Sequence, residues 1–320
     1  MCREALHKMS KPNIVFMGTP EFAVPALEIL ITHGYPVVGV VTQPDRPKGR
    51  GRIFTPSPVK IIAEQHQLPV LQPEKVKEPG FVERLLNHSP DLIVVAAFGQ
   101  ILPAEILECA PMGCVNVHPS LLPKYRGAAP INWPIIRGEI KTGVTIMLMD
   151  QGLDTGDMLI QEEAPIGAEE TYGMLHNRLS IMGARLLLKT IERMQTGPVS
   201  RIPQDHAAAT YAPRLKKGDV HIRWDDDIQD IVNLIRGLSP VPCAYTFFKG
   251  IKIKIFLASG EIFSVAGSAG TVGMETDKGL PVVAKNGYVY LKEVQMEGKK
   301  KMSIHDFTRG FRILPGDTLG

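Results

Sequence analysis

Asn116 and His118 stand two apart in the otherwise apolar run CVNVH. In a strand, residues at that spacing project to the same face, and these two lie at the C-terminal end of the run, where open α/β sheets place their ligands. An amide and an imidazole are costly to bury there without partners, although a lone histidine reads by default as a satisfied core or surface residue. A second signal follows downstream, where MDQGLDTGDML at 149–159 sets Asp150, Asp154 and Asp157 among glycines just past another strand-like run. An imidazole that carries a proton, with a carboxylate to orient it, makes the simplest equipment for proton transfer and charge stabilisation. Loop acids beside glycine also cap helices and solvate turns. That plain reading suits Asp157 best and leaves Asp150, at the strand end, open.

Other chemistries fit these residues less well. Cys109 and Cys114 lie just upstream of His118, but no C-x-x-C pair and no fourth ligand accompany them, so they read as buried free thiols rather than a metal site. The first strand-to-helix turn is Gly18-Thr19-Pro20-Glu21-Phe22. It lacks the G-x-G-x-x-G that lets a pyrophosphate approach the backbone, and no G-x-x-x-x-G-K-[ST] occurs elsewhere. Neither a metal nor a nicotinamide is expected.

The apolar runs supply the scaffold for the polar residues. NIVFMG at 13–18, VVGVVT at 37–42, PVLQ at 69–72, DLIVVAAFG at 91–99, GCVNVH at 113–118 and TGVTIMLMD at 142–150 alternate with helical patterns after 19, at 59–64, at 82–86 and at 172–194. Near-continuous Val/Ile runs between helices predict a mostly parallel sheet covered on both faces, a Rossmann-like α/β domain. After Gly197 the text turns to small, polar, proline and basic residues without a period, as linkers do. A helical segment at 228–235 and the β-rich pieces CAYTFFK, IKIKIFLA, GTVGMET, LPVVAK and YVYLKEV follow, with Asn286-Gly287 as a hairpin marker. The expectation is a short tail at 1–12, a Rossmann-like catalytic domain at 13–197, a linker at 198–217 and a small OB-like β-barrel domain at 218–320.

A chain of 320 residues has room for two such domains. Its 44% hydrophobic and 22% charged residues are ordinary globular usage. No apolar run approaches the roughly 20 residues of a bilayer span, and the basic opening segment lacks the apolar stretch of a secretory signal. It reads as a tail, with Met9 as an alternative start. Four scattered cysteines suit a reducing compartment, so the cytoplasm is expected. Net charge is only +3, but residues 210–320 hold 16 Lys+Arg against 12 Asp+Glu, so the positive excess belongs to the C-terminal third.

Asn116, His118, the HPSLLP run at 118–123 and the GLDTGD run at 152–157 together resemble the signature of the folate-dependent formyltransferases. Within that family, FMGTPEF, TQPDRPKGRGR, PSPVK and AAPINWPI resemble the members that act on methionyl-tRNA. The likeness extends through TYAPRLKKGD to GKKKMS at 298–303. The resemblance implies transfer of a formyl group from N10-formyltetrahydrofolate to the amino group of methionyl initiator tRNA. It implies Asn116, His118 and Asp154 as the catalytic set. Asn116 and a protonated His118 would donate hydrogen bonds to the tetrahedral oxyanion, and Asp154 would orient the imidazole and accept the nucleophile's proton. A folate pocket is implied along Gln100, Ile101 and Leu102, with Ser120, Leu121, Leu122 and Pro123 alongside and Asp150 facing it.

The stretch after Thr42 carries Arg46, Lys48, Arg50 and Arg52 among prolines and glycines and is long for a strand-to-helix connection. Such an arm can pair with phosphate or stack on an unpaired base, and the resemblance points to Arg50 as the reader of the acceptor end. Arg214, Lys216 and Lys217 in the linker, with Lys299, Lys300 and Lys301 near the C-terminus, are further phosphate partners that would position RNA without reading it. Trp133 and Trp224 read as packing residues before stacking ones. Two other functions remain open at this point: a formyltransferase for a small amine such as glycinamide ribonucleotide or an amino sugar nucleotide, and an RNA-binding protein on a degenerate enzyme scaffold.

Overall fold

The computed structural model describes residues 10–48, 53–78, 80–264 and 267–320. Contacts divide the chain into two units. The first holds the described residues up to Ala128 with Gly143–Ala164 and Asn177–Tyr211; the second holds Ala129–Thr142, Pro165–His176 and Ala212–Gly320.

In the first unit, β1 (Ile14–Gly18) leads into α1 (Val24–Thr32) and then β2 (Val37–Val41). Two three-residue strands, β3 (Arg46–Lys48) and β4 (Ile53–Thr55), precede α2 (Pro58–Gln65), whose first turn is capped by the Ser57 hydroxyl accepting from Lys60 N. Next come β5 (Val70–Leu71), α3 (Phe81–Leu86), β6 (Leu92–Ala96), α4 (Ala104–Leu107) and β7 (Cys114–His118). Every residue of β1, β6 and β7 is buried, as expected of strands covered on both faces.

After α5 (Asn132–Ile136), the sheet is completed by β8 (Lys141–Leu148) and β9 (Met158–Pro165), and α6 runs Tyr172–Thr196. The seven strands lie in the order β5-β2-β1-β6-β7-β8-β9. Neighbours from β5 to β7 pair in parallel, and β8 runs antiparallel to β7. The order reverses at β1, which pairs with both β2 and β6, so the C-terminal ends of the central strands form the switch point at which such sheets bind ligands. On one face Val15, Met17, Ile93, Val95 and Cys114 join Phe98, Leu102, Ile106 and Leu107 in an apolar cluster. On the other, α6 approaches β7 so closely that a Cβ at Gly183 would lie 2.7 Å from the Val117 Cγ1.

The second unit is built on α7 (Ile228–Leu238), β10 (Ala244–Phe248), β11 (Ile251–Ile262), β12 (Leu280–Ala284), β13 (Gly287–Met296), β14 (Met302–Ser303) and α8 (Ile304–Gly310). Its antiparallel sheet runs β10-β11-β13-β12, with β14 added to β13. Ile228, Ile231, Ile235 and Leu238 recur at helical spacing on α7 and pack with Ile253, Ile255, Val282, Val289 and Phe307. Trp224 is buried in the same cluster and donates its indole N–H to Thr246 Oγ1 at 3.1 Å, a packing role.

Three expectations change. GTVGMET is no continuous strand: it makes only isolated bridges, Thr271 to Thr318, Val272 to Val282 and Thr276 to Gly279. Strand β9, with its exposed Gln161, Glu162 and Glu163, has no clear alternation and was not anticipated. The basic arm is paired at its base, where Arg46, Pro47 and Lys48 face Thr55, Phe54 and Ile53. Among the described residues no helix is long and apolar enough to cross a membrane.

Candidate active site

Strand β7 carries Asn116 opposite Val95 of β6 and Met147 of β8, and His118 opposite Thr145. Both polar side chains are buried, at 9% and 3% exposure. The Asn116 side chain has no protein hydrogen-bond partner among the described residues, yet its polar atoms are not among the fully enclosed ones left without a partner. The His118 Nε2 lies 3.1 Å from the Tyr125 carbonyl oxygen. A carbonyl only accepts, so Nε2 carries the hydrogen and donates it. The remaining ring nitrogen, Nδ1, faces Asp154 Oδ1 at 3.6 Å. That is beyond a hydrogen bond but within ion-pair distance.

Asp154 comes from the loop between β8 and β9 and sits in the left-handed region at φ 55°. Its Oδ2 accepts from the Gly127 N–H at 2.8 Å. Its backbone carbonyl accepts from Gln204 Nε2 at 2.9 Å, and the same amide donates to the Gly156 carbonyl at 2.7 Å. The loop is pressed against the end of β8, since a Cβ at Gly156 would come within 1.8 Å of the Leu148 carbonyl oxygen. Gln204 belongs to the stretch expected to be a linker, which packs here on the first unit: Thr210 Oγ1 accepts from Tyr125 N at 2.9 Å, and Thr210 O from Arg126 N at 2.9 Å. Sequence reasoning passed over Gln204 and Arg126. The available signals were a lone amide in proline-rich text and a cation beside a glycine.

A cavity of about 620 Å3 opens beside the Asp154 loop. Leu107, Ala110, Cys114, Met149, Thr155 and Gln204 are among the residues lining it. Cys114 stands two residues before Asn116 on the same face of β7, and burial pushes its thiol well above the usual range. Asp150 also lines the cavity, with Oδ1 accepting from Gly152 N at 3.0 Å and Thr155 Oγ1 at 2.6 Å, so its carboxylate bonds within its own loop. Asp157 lends its backbone carbonyl to Leu148 N at 2.9 Å.

Of the other folate candidates, Leu102 is buried in the apolar cluster that includes Leu107, Ala110 and Cys114, and Ile101 is 70% exposed. The Gln100 amide is occupied, accepting from Val76 N at 2.9 Å and donating to Glu74 O at 3.3 Å. The turn at 120–123 is pinned to β8 by Thr145, whose hydroxyl donates to Ser120 O at 2.7 Å and accepts from Leu122 N at 3.3 Å. Ser120 and Leu122 are buried there, with Leu121 and Pro123 half-buried. A smaller hollow of about 280 Å3, with Glu162, Arg178 and Arg185 in its wall, contains none of these residues. Among the described residues no group of three or more His, Cys, Asp or Glu side chains could hold a metal ion.

The basic candidates differ in availability. Arg46 is paired with Glu74 at 2.7 Å, and Lys301 with Glu293 at 2.7 Å. Arg214, Lys216, Lys217, Lys299 and Lys300 are exposed. The backbone of Lys48 lies in β3, whereas Arg50 and Arg52 fall outside the described residues. Trp133 donates its indole N–H to Pro213 O at 2.7 Å, and the Arg137 guanidinium lies 5.3 Å from the centre of its ring.

The family model described as Formyl transferase matches residues 12–191, and that described as Formyl transferase, C-terminal domain, matches residues 214–312. A methionyl-tRNA formyltransferase of Syntrophus aciditrophicus (strain SB) is 58% identical over 312 residues, covering 98% of this chain and 100% of the relative. One of Geotalea uraniireducens (strain Rf4) is 49% identical over 315 residues, covering 98% and 99%. Among solved structures, the crystal structure of WlaRD, a sugar 3N-formyl transferase, in the presence of dTDP and 5-N-formyl-THF aligns with a TM-score of 0.65 at 19% identity, covering 91% of this chain and 100% of that one. At that identity the likeness is one of fold.

Proposed function

Because this chain belongs to the formyl transferase family, we propose that it transfers the formyl group of N10-formyltetrahydrofolate to the free amino group of methionyl initiator tRNA. The observation that carries the reading is the meeting, at 3.6 Å, of His118 from β7 with Asp154 from a loop beyond β8, beside a buried amide that has no partner within the described protein. Relatives at 58% and 49% identity over nearly the whole chain bear the name methionyl-tRNA formyltransferase, which supports tRNA as the acceptor.

Attack of a neutral amine on the formyl carbonyl forms a tetrahedral oxyanion. The Asn116 amide is free to donate to it, and an N–H held ready in a water-poor site is worth about 2.7–4 kcal/mol of barrier. With Nε2 committed to Tyr125 O, the proton that His118 lends sits on Nδ1, on the side of Asp154. The carboxylate stabilises that charge and takes up the nucleophile's proton, directly or through water, while His118 passes its own toward the departing N10. On that basis the folate ring takes the cavity beside the loop, against Leu107, Cys114, Asp150 and Thr155. Asn116, His118 and Asp154 are not among the residues lining it, and the Gln204 amide at its edge is spent on protein partners. In this reading the exposed lysines of the second unit and the arginines of the basic arm bind the tRNA backbone and acceptor end, and the protein works in the cytoplasm.

The test is one incubation of the protein with N10-formyltetrahydrofolate and two acceptors, charged initiator tRNA and glycinamide ribonucleotide. Formyl-methionyl-tRNA alone is the expected product. Formylation of the small amine alone would favour the other acceptor class, and formylation of neither would remove the assignment.

A further inference from the structure

We propose that Gln204 and Arg126 form a clamp that positions Asp154 for the transfer step, a role that rests on the catalytic reading given above. Arg126 is among the largest fully buried side chains, at 2% exposure, yet among the described residues it faces no carboxylate. Its Nε and Nη2 donate to Gln204 Oε1 at 3.1 and 2.6 Å, and Nη1 and Nη2 lie 3.3 Å from His206 Nδ1. A guanidinium has no acceptor, so the Gln204 amide can sit only with its oxygen toward Arg126. That fixes its NH2 toward the carbonyls of Asp154 and Gly156. Both donors and both lone pairs of the amide are then in use.

The contacts close on themselves. Arg126 holds Gln204, Gln204 holds the backbone of Asp154, and the N–H of Gly127, the residue after Arg126, donates to the Asp154 carboxylate. A non-glycine residue in the left-handed region costs about 1–3 kcal/mol and persists only where its surroundings over-determine it. Here two backbone carbonyls and one carboxylate oxygen of the loop are gripped from outside it. Burying a guanidinium against neutral partners is an expensive way to fill space, and an apolar side chain of similar volume packs as well or better. What the guanidinium adds is direction: it orients one amide, and that amide orients the loop. Gln204 and Arg126 are positioning residues, acting through Asp154.

Gln204→Glu discriminates this role from simple packing. The variant keeps an acceptor, now charged, for Arg126 but replaces the two N–H donors with an oxygen that repels the carbonyls of Asp154 and Gly156. The expected result is a thermal midpoint close to the wild type's, KM for both substrates within about twofold, and kcat down by at least about tenfold. Arg126→Lys, which keeps the charge and loses the planar fork, should show the same split and serves if the first variant does not fold. In an Asp154→Asn background, measured by single turnover, adding Gln204→Glu should change the residual rate by less than about threefold, because the group it acts through is gone. A wild-type kcat in folded Gln204→Glu protein, a loss carried in KM, or an equal loss in both backgrounds overturns the clamp. The two failures are separable: if only the clamp is wrong, Asp154→Asn still cripples turnover, and if the catalytic reading is wrong, Asp154→Asn turns over normally.

Discussion

Asn116 is the residue at which folding and chemistry part most clearly. Its side chain, 9% exposed, has no protein hydrogen-bond partner among the described residues, so the folded state loses no protein hydrogen bond when the amide is removed. Asn116→Ala should therefore keep or slightly raise the thermal midpoint while kcat falls by about 10²–10³. Thermal unfolding and steady-state kinetics on the same sample check this, and a lowered midpoint would make Asn116 a packing residue. The cysteines make the opposite case. Burial pushes the Cys243 thiol up to about 12 and raises those of Cys109 and Cys114 as well. The thiolate is the reactive form. Iodoacetamide near neutral pH should leave Cys114 and Cys243 unmodified until the protein is unfolded, as mass spectrometry of peptides can verify. Asn116, His118 and Asp154 were nominated from the sequence as the proposed set because chemistry-bearing types fall at strand and loop positions. Gln204 and Arg126 were not, because the signal that matters for them is a partner about eighty positions away in the chain.

At the scale of elements, the site depends on how the loop after β8 is seated. A methyl group at position 156 has nowhere to go but into the Leu148 carbonyl, so Gly156→Ala should displace the turn that carries Asp154 and lower kcat by at least about tenfold with folate KM less affected. A kcat equal to the wild type's would show that the loop finds another seat. The basic arm has its own fastening, since hydrogen bonds from Lys60 and Gln72 hold the Asp45 carboxyl below its usual value of 3.8. A lowered carboxyl contributes stability that is present above its usual value and lost as pH falls through the value in the folded protein. The protection of amides around Asp45, measured against their intrinsic exchange rates, should thus fall only on acidification below about pH 4, and unchanged protection there would deny the fastening. The central strands were readable as Val/Ile runs because burial on both faces leaves no room for polar residues. Strand β9 was not, because its outer positions carry Gln161, Glu162 and Glu163. The stretch after Gly197 shows no period, which describes its backbone and says nothing of the packing that Gln204 and Thr210 provide.

At the scale of the whole molecule, the proposed function gives reading and holding the tRNA to different residues. Arg50→Ala is expected to narrow the preference for initiator over elongator tRNA, and equal loss for both would remove the specificity role. Neutralising Lys299, Lys300 and Lys301 is expected to weaken all tRNAs alike. Because Lys301 is already paired with Glu293, the slope of log K against log salt should flatten by about two rather than three. The two sheets could be read from composition and patterning because a parallel sheet and a small antiparallel one leave different texts, whereas the assignment of Ala129–Thr142 and Pro165–His176 to the second unit has no such signal. The account as a whole turns on the carboxylate that a loop from beyond β8 sets against His118. Its most direct test is the single-turnover rate of formyl transfer to charged initiator tRNA by the Asp154→Asn protein, with folding and tRNA affinity checked in parallel. A fall of at least about a hundredfold with both controls intact is the expected result, and a rate near that of the wild type would contradict the account.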